Sequence, residues 1–176
     1  MVGILLNEQH LAGALVEAIE RSRHRLFIAT ADVKDLHVPM AWRIDRAQSI
    51  LAVLDELSKR SVEIRLLHSG VPSGPFLARM KLHLPPTLTM RRCPRIHAKA
   101  LIADGRWMYL GSANLTGAGL GAKSPRRRNF EAGIWTDEPH LIDPVLDTLD
   151  RIWRGAECAD CGRKQHCPVP LEEPEL

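Results

Sequence analysis

The sequence predicts an α/β domain in which a mixed, mostly parallel sheet carries helices on both faces. Segments with the period of amphipathic helices alternate along the chain with shorter segments that have the alternation of strands. An Asp-Gly pair at Asp104 predicts a hairpin near the middle of the chain, which introduces antiparallel pairing. A length of 176 residues with no visible internal repeat indicates a single core.

The first half of the chain predicts a βαβ unit that follows an amino-terminal helix. Residues 7–21 have helical spacing behind Asn7, which is expected to cap that helix, and residues 25–30 predict the first strand. Residues 41–60 carry a broad apolar face and predict the second helix. Residues 62–67 alternate in polarity and predict the next strand.

The second half predicts a short helix, four strands and a last helix. The short helix spans residues 75–82, the strands span 87–92, 95–103, 107–110 and 129–136, and a glycine-rich and then basic loop spans 111–128. Asp143 is expected to cap the last helix, which would begin at Pro144 and end at Trp153.

Composition and charge favour a folded protein with a polyanionic partner. Residues 1–6 are too few for a signal peptide or a membrane span, so we expect a cytoplasmic protein that does not bind membranes. The formal net charge is +3, yet residues 79–128 hold eleven Lys or Arg and one acid, Asp104. Such a segment indicates a partner such as nucleic acid, although the same charges could simply solvate strand edges and a loop.

The composition changes after Gly155, where cysteines and then prolines replace the helical pattern. We therefore expect a catalytic domain at 1–155 and a carboxyl-terminal tail at 156–176, ordered only if a metal or a partner holds it. The tail ends in an acidic patch of Glu172, Glu173 and Glu175.

The cysteines of the tail suggest a metal centre. Cys158, Cys161 and Cys167 lie close together in sequence, and either Cys93 or His166 could complete a tetrahedral set. Thiolate ligands favour a structural zinc ion or an iron–sulfur cluster. The alternative is free thiols on a frayed tail, because a single Cys-x-x-Cys is a weak signal.

Two basic side chains on one predicted strand carry the chemistry. Strand alternation sends His97 and Lys99 to the same, inward face. An imidazole can act there as nucleophile or proton carrier, and an ammonium group can hold a phosphate. The turn that contains Ser112 and Asn114 adds hydrogen-bond donors, and Glu131 places a carboxylate on the next strand.

This spacing resembles the HKD signature of the phospholipase D superfamily. The signature residues are His97, Lys99, Asp104, Gly111-Ser112-x-Asn114 and Asn129-x-Glu131. The order of helices and strands over residues 7–154 is also similar to that of the small single-motif bacterial nucleases of that superfamily.

The resemblance implies roles for each residue of the signature. His97 would attack phosphorus and form a phosphohistidine, Lys99 and Asn114 would hold the nonbridging oxygens, and Ser112 would support the phosphate or the imidazole. Glu131 would orient an imidazole, and Asp104 is expected to order its turn rather than to react. No catalytic metal is implied, and a site built from two motifs would require a homodimer, since this chain has one.

The substrate remains open among three classes. A DNA or RNA nuclease is favoured by the basic segment, in which Arg95, Lys123, Arg126, Arg127 and Arg128 are the candidate phosphate contacts. A phospholipase D-type lipid hydrolase is the alternative, although no membrane-binding helix is visible. A third hypothesis is a noncutting nucleic-acid module in a larger defence or repair complex.

Overall fold

The computed structural model describes residues 1–42 and 46–174, and a mixed sheet forms its centre. The strands are β1 (Val2–Leu6), β2 (Arg25–Thr30), β3 (His37–Val38), β4 (Gln48–Ser49), β5 (Glu63–His68), β6 (Leu88–Arg92), β7 (Lys99–Ala103), β8 (Trp107–Gly111) and β9 (Ala132–Thr136). Seven of them form one sheet in the order β1-β9-β8-β7-β2-β5-β6, and β3 and β4 pair separately.

Helices connect the strands and flank the sheet. π-helical turns at Leu11–Val16 lead into α1 (Glu17–Arg21), and α2 (Ile50–Lys59), α3 (Gly74–Leu82), α4 (Pro139–Trp153) and a short 3-10 helix at Lys164–His166 follow. Among the helices of the described residues, none is long and apolar enough to cross a membrane.

Strand direction determines where a site can lie. β1, β2, β5, β6 and β8 run in one direction, and β7 and β9 run in the opposite direction. Parallel pairing is limited to β2, β5 and β6, and the remaining neighbours pair antiparallel. Five strands therefore end at one edge of the sheet, called here the carboxyl edge.

Apolar side chains pack against both faces of the sheet, because successive residues of a strand point to opposite sides. On β2, Leu26 and Ile28 join a cluster that includes α1, α2 and α3. Phe27 and Ala29 join a second cluster that includes α4. The predicted fold class, a mixed sheet with helices on both faces, is confirmed; five of the seven strands share one direction, as a mostly parallel sheet predicts, but four of the six strand pairings are antiparallel.

The amino-terminal half departs from the prediction in three places. Residues 2–6 form an edge strand, whose partner β9 lies at the other end of the chain. Asn7 has a left-handed φ of 50° and does not cap the following helix. The second helix begins at Ile50, because the Ser49 hydroxyl accepts a hydrogen bond from the Ala52 amide at 3.3 Å. Residues 43–45 of the predicted helix lie outside the described residues.

The carboxyl-terminal half departs from the prediction at the start of α4. This helix begins at Pro139 rather than after Asp143, and Pro144 lies inside it. A proline there removes one backbone hydrogen bond. Burial of Ile142, Leu149 and Trp153 against the sheet keeps the helix in place despite that loss.

The tail is folded back onto the domain. The Arg92 amide donates to the Glu172 carbonyl at 3.0 Å, and the two side chains also form an ion pair. Leu171 packs against the apolar cluster that contains α4. Glu175, part of the predicted acidic patch, lies outside the described residues.

Candidate active site

The signature residues converge at the carboxyl edge, except for Asp104. Lys99 is the first residue of β7, and the strand register places it beside Gly111 of β8, which in turn lies beside Gly133 of β9. His97 lies two residues before Lys99, Ser112 follows Gly111, and Glu131 precedes β9. The antiparallel order β9-β8-β7 thus brings three segments of the chain to one point.

His97 and Lys99 form a contact pair. The Lys99 ammonium lies 3.1 Å from Nδ1 of His97 and donates to the His97 carbonyl at 2.6 Å. Lys99 is 6% exposed, whereas His97 is exposed and lies just before the strand, not on it. The inward-facing histidine that strand alternation predicted is therefore corrected: β7 begins at Lys99, and the imidazole faces solvent.

Burial changes the acidity of Lys99. Loss of water contact lowers the pKa of this ammonium group, and the nearby Glu131 carboxylate opposes the shift without cancelling it. Lys99 therefore releases its proton at a lower pH than a free lysine does.

Glu131 is held by polar neighbours on its own chain. The Ser112 hydroxyl donates to one carboxylate oxygen, and the Asn129 amide donates to the other at 2.9 Å. The Ser112 hydroxyl also accepts from the Ala132 amide at 3.1 Å. Among the described residues Glu131 makes no hydrogen bond to His97, the imidazole of its own site.

The Asn114 side chain is fixed by the end of β2. Its Oδ1 accepts hydrogen bonds from the amides of Ala31 and Asp32 at 3.0 and 3.2 Å, and from the Thr30 hydroxyl at 3.3 Å. With the oxygen engaged, the Nδ2 group is the part of the side chain that remains as a donor.

Asn7 is a site residue that the sequence analysis missed. Its backbone amide donates to the Glu131 carbonyl at 2.9 Å, and its side-chain oxygen accepts from the Glu131 amide at 3.2 Å. Asn7 thus hydrogen-bonds to both the carbonyl and the amide of Glu131 and fixes the backbone of that residue. No local pattern reveals this contact, since the two residues are 124 positions apart.

Tyr109 is the second missed residue. Its ring lies beside Gly111 and Gly133, and its hydroxyl accepts a hydrogen bond from the Ala113 amide at 3.2 Å. Burial raises the pKa of Tyr109 to about 12, so the phenol stays neutral. Because Gly111 and Gly133 have no side chains, the Tyr109 ring can fill the space directly beneath the site.

The family of the chain follows from a family model that matches residues 15–153, described as cardiolipin synthase, PLD-like domain. This match covers most of the chain. The chain belongs to the PLD-like family. No curated protein matches the PLD-like chain in sequence.

Solved structures share the PLD-like fold at low sequence identity. Nuc from Salmonella typhimurium, a phospholipase D family member, is 16% identical with a TM-score of 0.67, over 100% of this chain and 99% of Nuc. NucT from Helicobacter pylori is 14% identical with a TM-score of 0.61, over 86% of this chain and 95% of NucT. TrmBL2, an archaeal chromatin protein with a novel mode of DNA binding, is 14% identical with a TM-score of 0.55, over 87% of this chain and 52% of TrmBL2.

Asp104 lies at the opposite end of β7 from the PLD-like site. Its carboxylate accepts hydrogen bonds from the backbone amides of Arg23, His24 and Arg25 at 2.9, 2.9 and 2.7 Å. Burial raises the pKa of this carboxyl, but the three amides outweigh burial and lower it overall. Asp104 therefore ties the β7–β8 turn to β2, the ordering position expected for it.

The candidate phosphate contacts differ in their exposure and in whether an acidic residue of the chain already pairs with them. Arg95, Lys123, Arg126 and Arg127 are exposed and form no ion pair with any described residue. Arg128 is only 24% exposed at its side chain and pairs with Glu8 at 3.1 Å. It is therefore partly neutralised within the chain and is a weaker candidate than its neighbours.

The predicted metal centre is not supported by the structure. Within residues 1–42 and 46–174, no group of three or more His, Cys, Asp or Glu side chains is placed to hold a metal ion. His166, the alternative fourth ligand, belongs to no such group of described residues either. Cys93, Cys158, Cys161 and Cys167 nevertheless line one cavity of about 620 Å³ as free thiols. The tail folds onto the domain through Arg92 and Leu171 instead, contacts that cysteine spacing does not encode.

Proposed function

We propose that this PLD-like protein is a metal-independent phosphodiesterase that cleaves DNA or RNA through a phosphohistidine at His97. The observation that carries this proposal is the 3.1 Å contact between the Lys99 ammonium and the exposed His97 imidazole, beside Glu131 at the carboxyl edge. Membership of the PLD-like family supports the reaction class.

The proposed reaction has two displacements. Nε2 of His97 attacks phosphorus, the bond to the leaving oxygen breaks, and that oxygen takes a proton from a second imidazole. Water then attacks the phosphohistidine, gives its proton back to the second imidazole and frees His97. Lys99 and the Asn114 amide would bind the nonbridging oxygens, and the positive charge of Lys99 would do there what a divalent cation does in metallonucleases.

The hydrogen bonding of His97 supports a second copy of the chain. A charged Lys99 ammonium can only donate, so its 3.1 Å contact with Nδ1 of His97 favours the tautomer that carries its proton on Nε2. That tautomer cannot attack through Nε2, because this nitrogen carries the proton; an imidazole that protonates a leaving oxygen must first hold a proton on each nitrogen. Attack requires a proton on Nδ1 and an acceptor for it, and in a homodimer the partner's Glu131 would supply that carboxylate.

The surface beside the site also supports a homodimer. Phe130, between Asn129 and Glu131, is 94% exposed, and Ile4 of the edge strand β1 is 73% exposed. Leu6 and Val2 are about half exposed on the same side of β1. Apolar side chains exposed this way mark interaction sites. A second copy that covers them would bring two His97 side chains into one site.

Free cations near the site support nucleic acid as the substrate. Arg95 is two residues from His97, and the loop of Lys123, Arg126 and Arg127 follows the turn that holds Asn114. We infer that these cations contact the phosphate backbone on either side of the reacting phosphodiester. A noncutting nucleic-acid module in a larger complex would use the same surface.

A lipid phosphodiester is the second candidate. The exposed Phe130 beside Glu131 and the description of the matched family as cardiolipin synthase favour it. A lipid would place its acyl chains against the apolar surface that we assign to the second copy.

The test of this proposal is cleavage by the pure protein with excess chelator present. Labelled single- and double-stranded DNA and RNA would be compared with phosphatidylcholine and cardiolipin vesicles, with His97→Ala as the blank. We expect chelator-resistant cleavage of a nucleic acid that the variant lacks. Cleavage of vesicles alone would select the lipid candidate, and binding without cleavage would select the noncutting module.

A further inference from the structure

The tail and the loop before His97 enclose a cavity of about 620 Å³. Its walls are residues 92–96, the side of α4 that bears Asp147 and Thr148, and residues of the tail between 157 and 171. Pockets of about 300–1,000 Å³ bind small molecules or single building blocks of polymers. The match to the PLD-like family model ends at residue 153, so this tail wall lies outside the matched residues.

Positive charge dominates the lining of the cavity. The cationic lining residues are Arg92, Arg95, Arg151, Arg163 and Lys164, and the acidic ones are Asp147 and Glu157. Arg92 pairs with Glu172 and Arg151 pairs with Glu157. Arg95, Arg163 and Lys164 are exposed and have no ion pair in the part of the chain that the structure describes. Three cations are thus left to bind an anion.

The remaining wall is apolar. Ile96, Ile152, Pro168, Pro170 and Leu171 contribute to it. A nucleotide combines an anionic phosphate with a flat base whose faces are apolar, so cations beside an apolar surface can bind both parts. Here aliphatic and proline side chains stand where proteins that hold single strands commonly place aromatic ones. The cavity offers both kinds of contact next to each other.

The cavity is connected to the site through Arg95. This residue lines the cavity together with Cys161 of the tail and lies two positions before His97. A strand whose phosphodiester lies at His97 therefore reaches the cavity within the span of its neighbouring nucleotides.

We propose that this cavity binds one nucleotide of a single nucleic-acid strand, next to the phosphodiester held at His97. The proposal rests on the proposed function and names its substrate class as single-stranded. A base within a duplex would have to unpair and unstack before it could enter a walled cavity, so duplexes are disfavoured. The tail is then a second substrate contact, on a segment separate from the Arg126 loop.

The first test measures binding of a fluorescent oligonucleotide by full-length His97→Ala protein as a function of salt. Adding Arg163→Ser and Lys164→Ser should weaken single-strand binding about tenfold and reduce the slope of log K against log salt by about 1.4. The matched control removes Lys81 and Arg106, two exposed cations outside the cavity, and should change neither quantity. Thermal melting confirms that each variant is folded.

The second test fills the cavity without changing charge. Thr148 lines the cavity from an exposed position on α4, so Thr148→Trp should narrow it and leave the fold intact. We expect weaker binding of single strands, an unchanged salt slope and unchanged duplex binding. Single-strand binding that neither Thr148→Trp nor the double variant alters would overturn this inference alone. A His97→Ala protein that binds no nucleic acid would overturn the proposed function as well.

Discussion

Lys99 is the residue on which the chemistry of the site depends most. It is 6% exposed, and its ammonium contacts both the imidazole and the carbonyl of His97. A buried cation is costly unless its charge is used or paired, and Glu131 is the nearby carboxylate that compensates for part of that cost. An incoming phosphodiester would supply the rest of the compensating charge.

Replacement of Lys99 by arginine should change the pH profile of cleavage. Burial lowers the pKa of Lys99, so its positive charge is complete at low pH and is lost as pH rises through that lowered value. A guanidinium stays protonated throughout, so Lys99→Arg should remove the alkaline limb of kcat/KM while lowering its plateau by roughly 10²-fold. An alkaline limb that persists unchanged in the variant would show that another group titrates there.

Residue spacing predicts part of this site and not the rest. The sequence separations between His97 and the other signature residues, Lys99, Ser112, Asn114 and Glu131, predict that these side chains converge. The reason is that strands β7, β8 and β9 follow one another along the chain and pair as neighbours. Asn7 and the exposure of His97 could not be predicted. The first depends on a contact between the two ends of the chain, and the second on where β7 begins.

At the scale of elements, β8 and β9 pair beneath the site at Gly111 and Gly133, and both glycines pack against the Tyr109 side chain. A Cβ atom at Gly133 would lie 2.4 Å from the Tyr109 ring, and one at Gly111 would lie 2.3 Å from the Tyr109 hydroxyl. The ring is fully enclosed and cannot move aside easily. The two strands can therefore pack over Tyr109 only while both positions lack a side chain.

The Gly133→Ala variant should lose stability and activity together. We expect the free energy of unfolding to fall by about 1–3 kcal/mol, because the added methyl overpacks a filled core. Cleavage should also fall, since Lys99 and Glu131 lie on the segments that the ring supports. Gly162→Ala is the matched control, because a Cβ there meets nothing within 4 Å. Denaturant unfolding that shows equal stability for both variants would contradict this packing.

The first residues of the helices are the features that the spacing of apolar residues predicted least well. α2 begins at Ile50 because the Ser49 hydroxyl caps it, and α4 runs through Pro144 because its buried side chains hold it against the sheet. Apolar spacing identifies the buried face of a helix but not its first turn, which depends on single hydrogen bonds. β2, β5, β6 and β8 lie close to their predicted positions, whereas β7 and β9 begin three or four residues later than predicted.

At the scale of the whole molecule, the proposed reaction makes this chain one half of a two-histidine site. Its single signature lies at a sheet edge beside exposed apolar residues of β1 and Phe130. One chain supplies one imidazole to this point, whereas the proposed reaction uses one as nucleophile and one as acid. Dimerisation and activity should therefore be lost together.

Charge placed on the apolar surface should separate the two subunits. Ile4→Glu combined with Phe130→Glu should give a monomer by analytical ultracentrifugation and lower cleavage at least 10³-fold, since a monomer lacks the second imidazole. Leu82→Glu is the matched control, because Leu82 is 87% exposed at the end of α3, and it should stay dimeric and active. A wild-type protein that cleaves as a monomer would overturn the shared site.

The measurement that tests the central claim most directly is the stereochemistry of cleavage at phosphorus. A chiral phosphorothioate diester of the preferred nucleic acid would be cleaved in ¹⁸O-water, and the configuration of the product determined. Two displacements through a phosphohistidine at His97 predict retention of configuration, because each displacement inverts it once. Inversion would show direct attack by water and would contradict the assignment of His97 as the nucleophile.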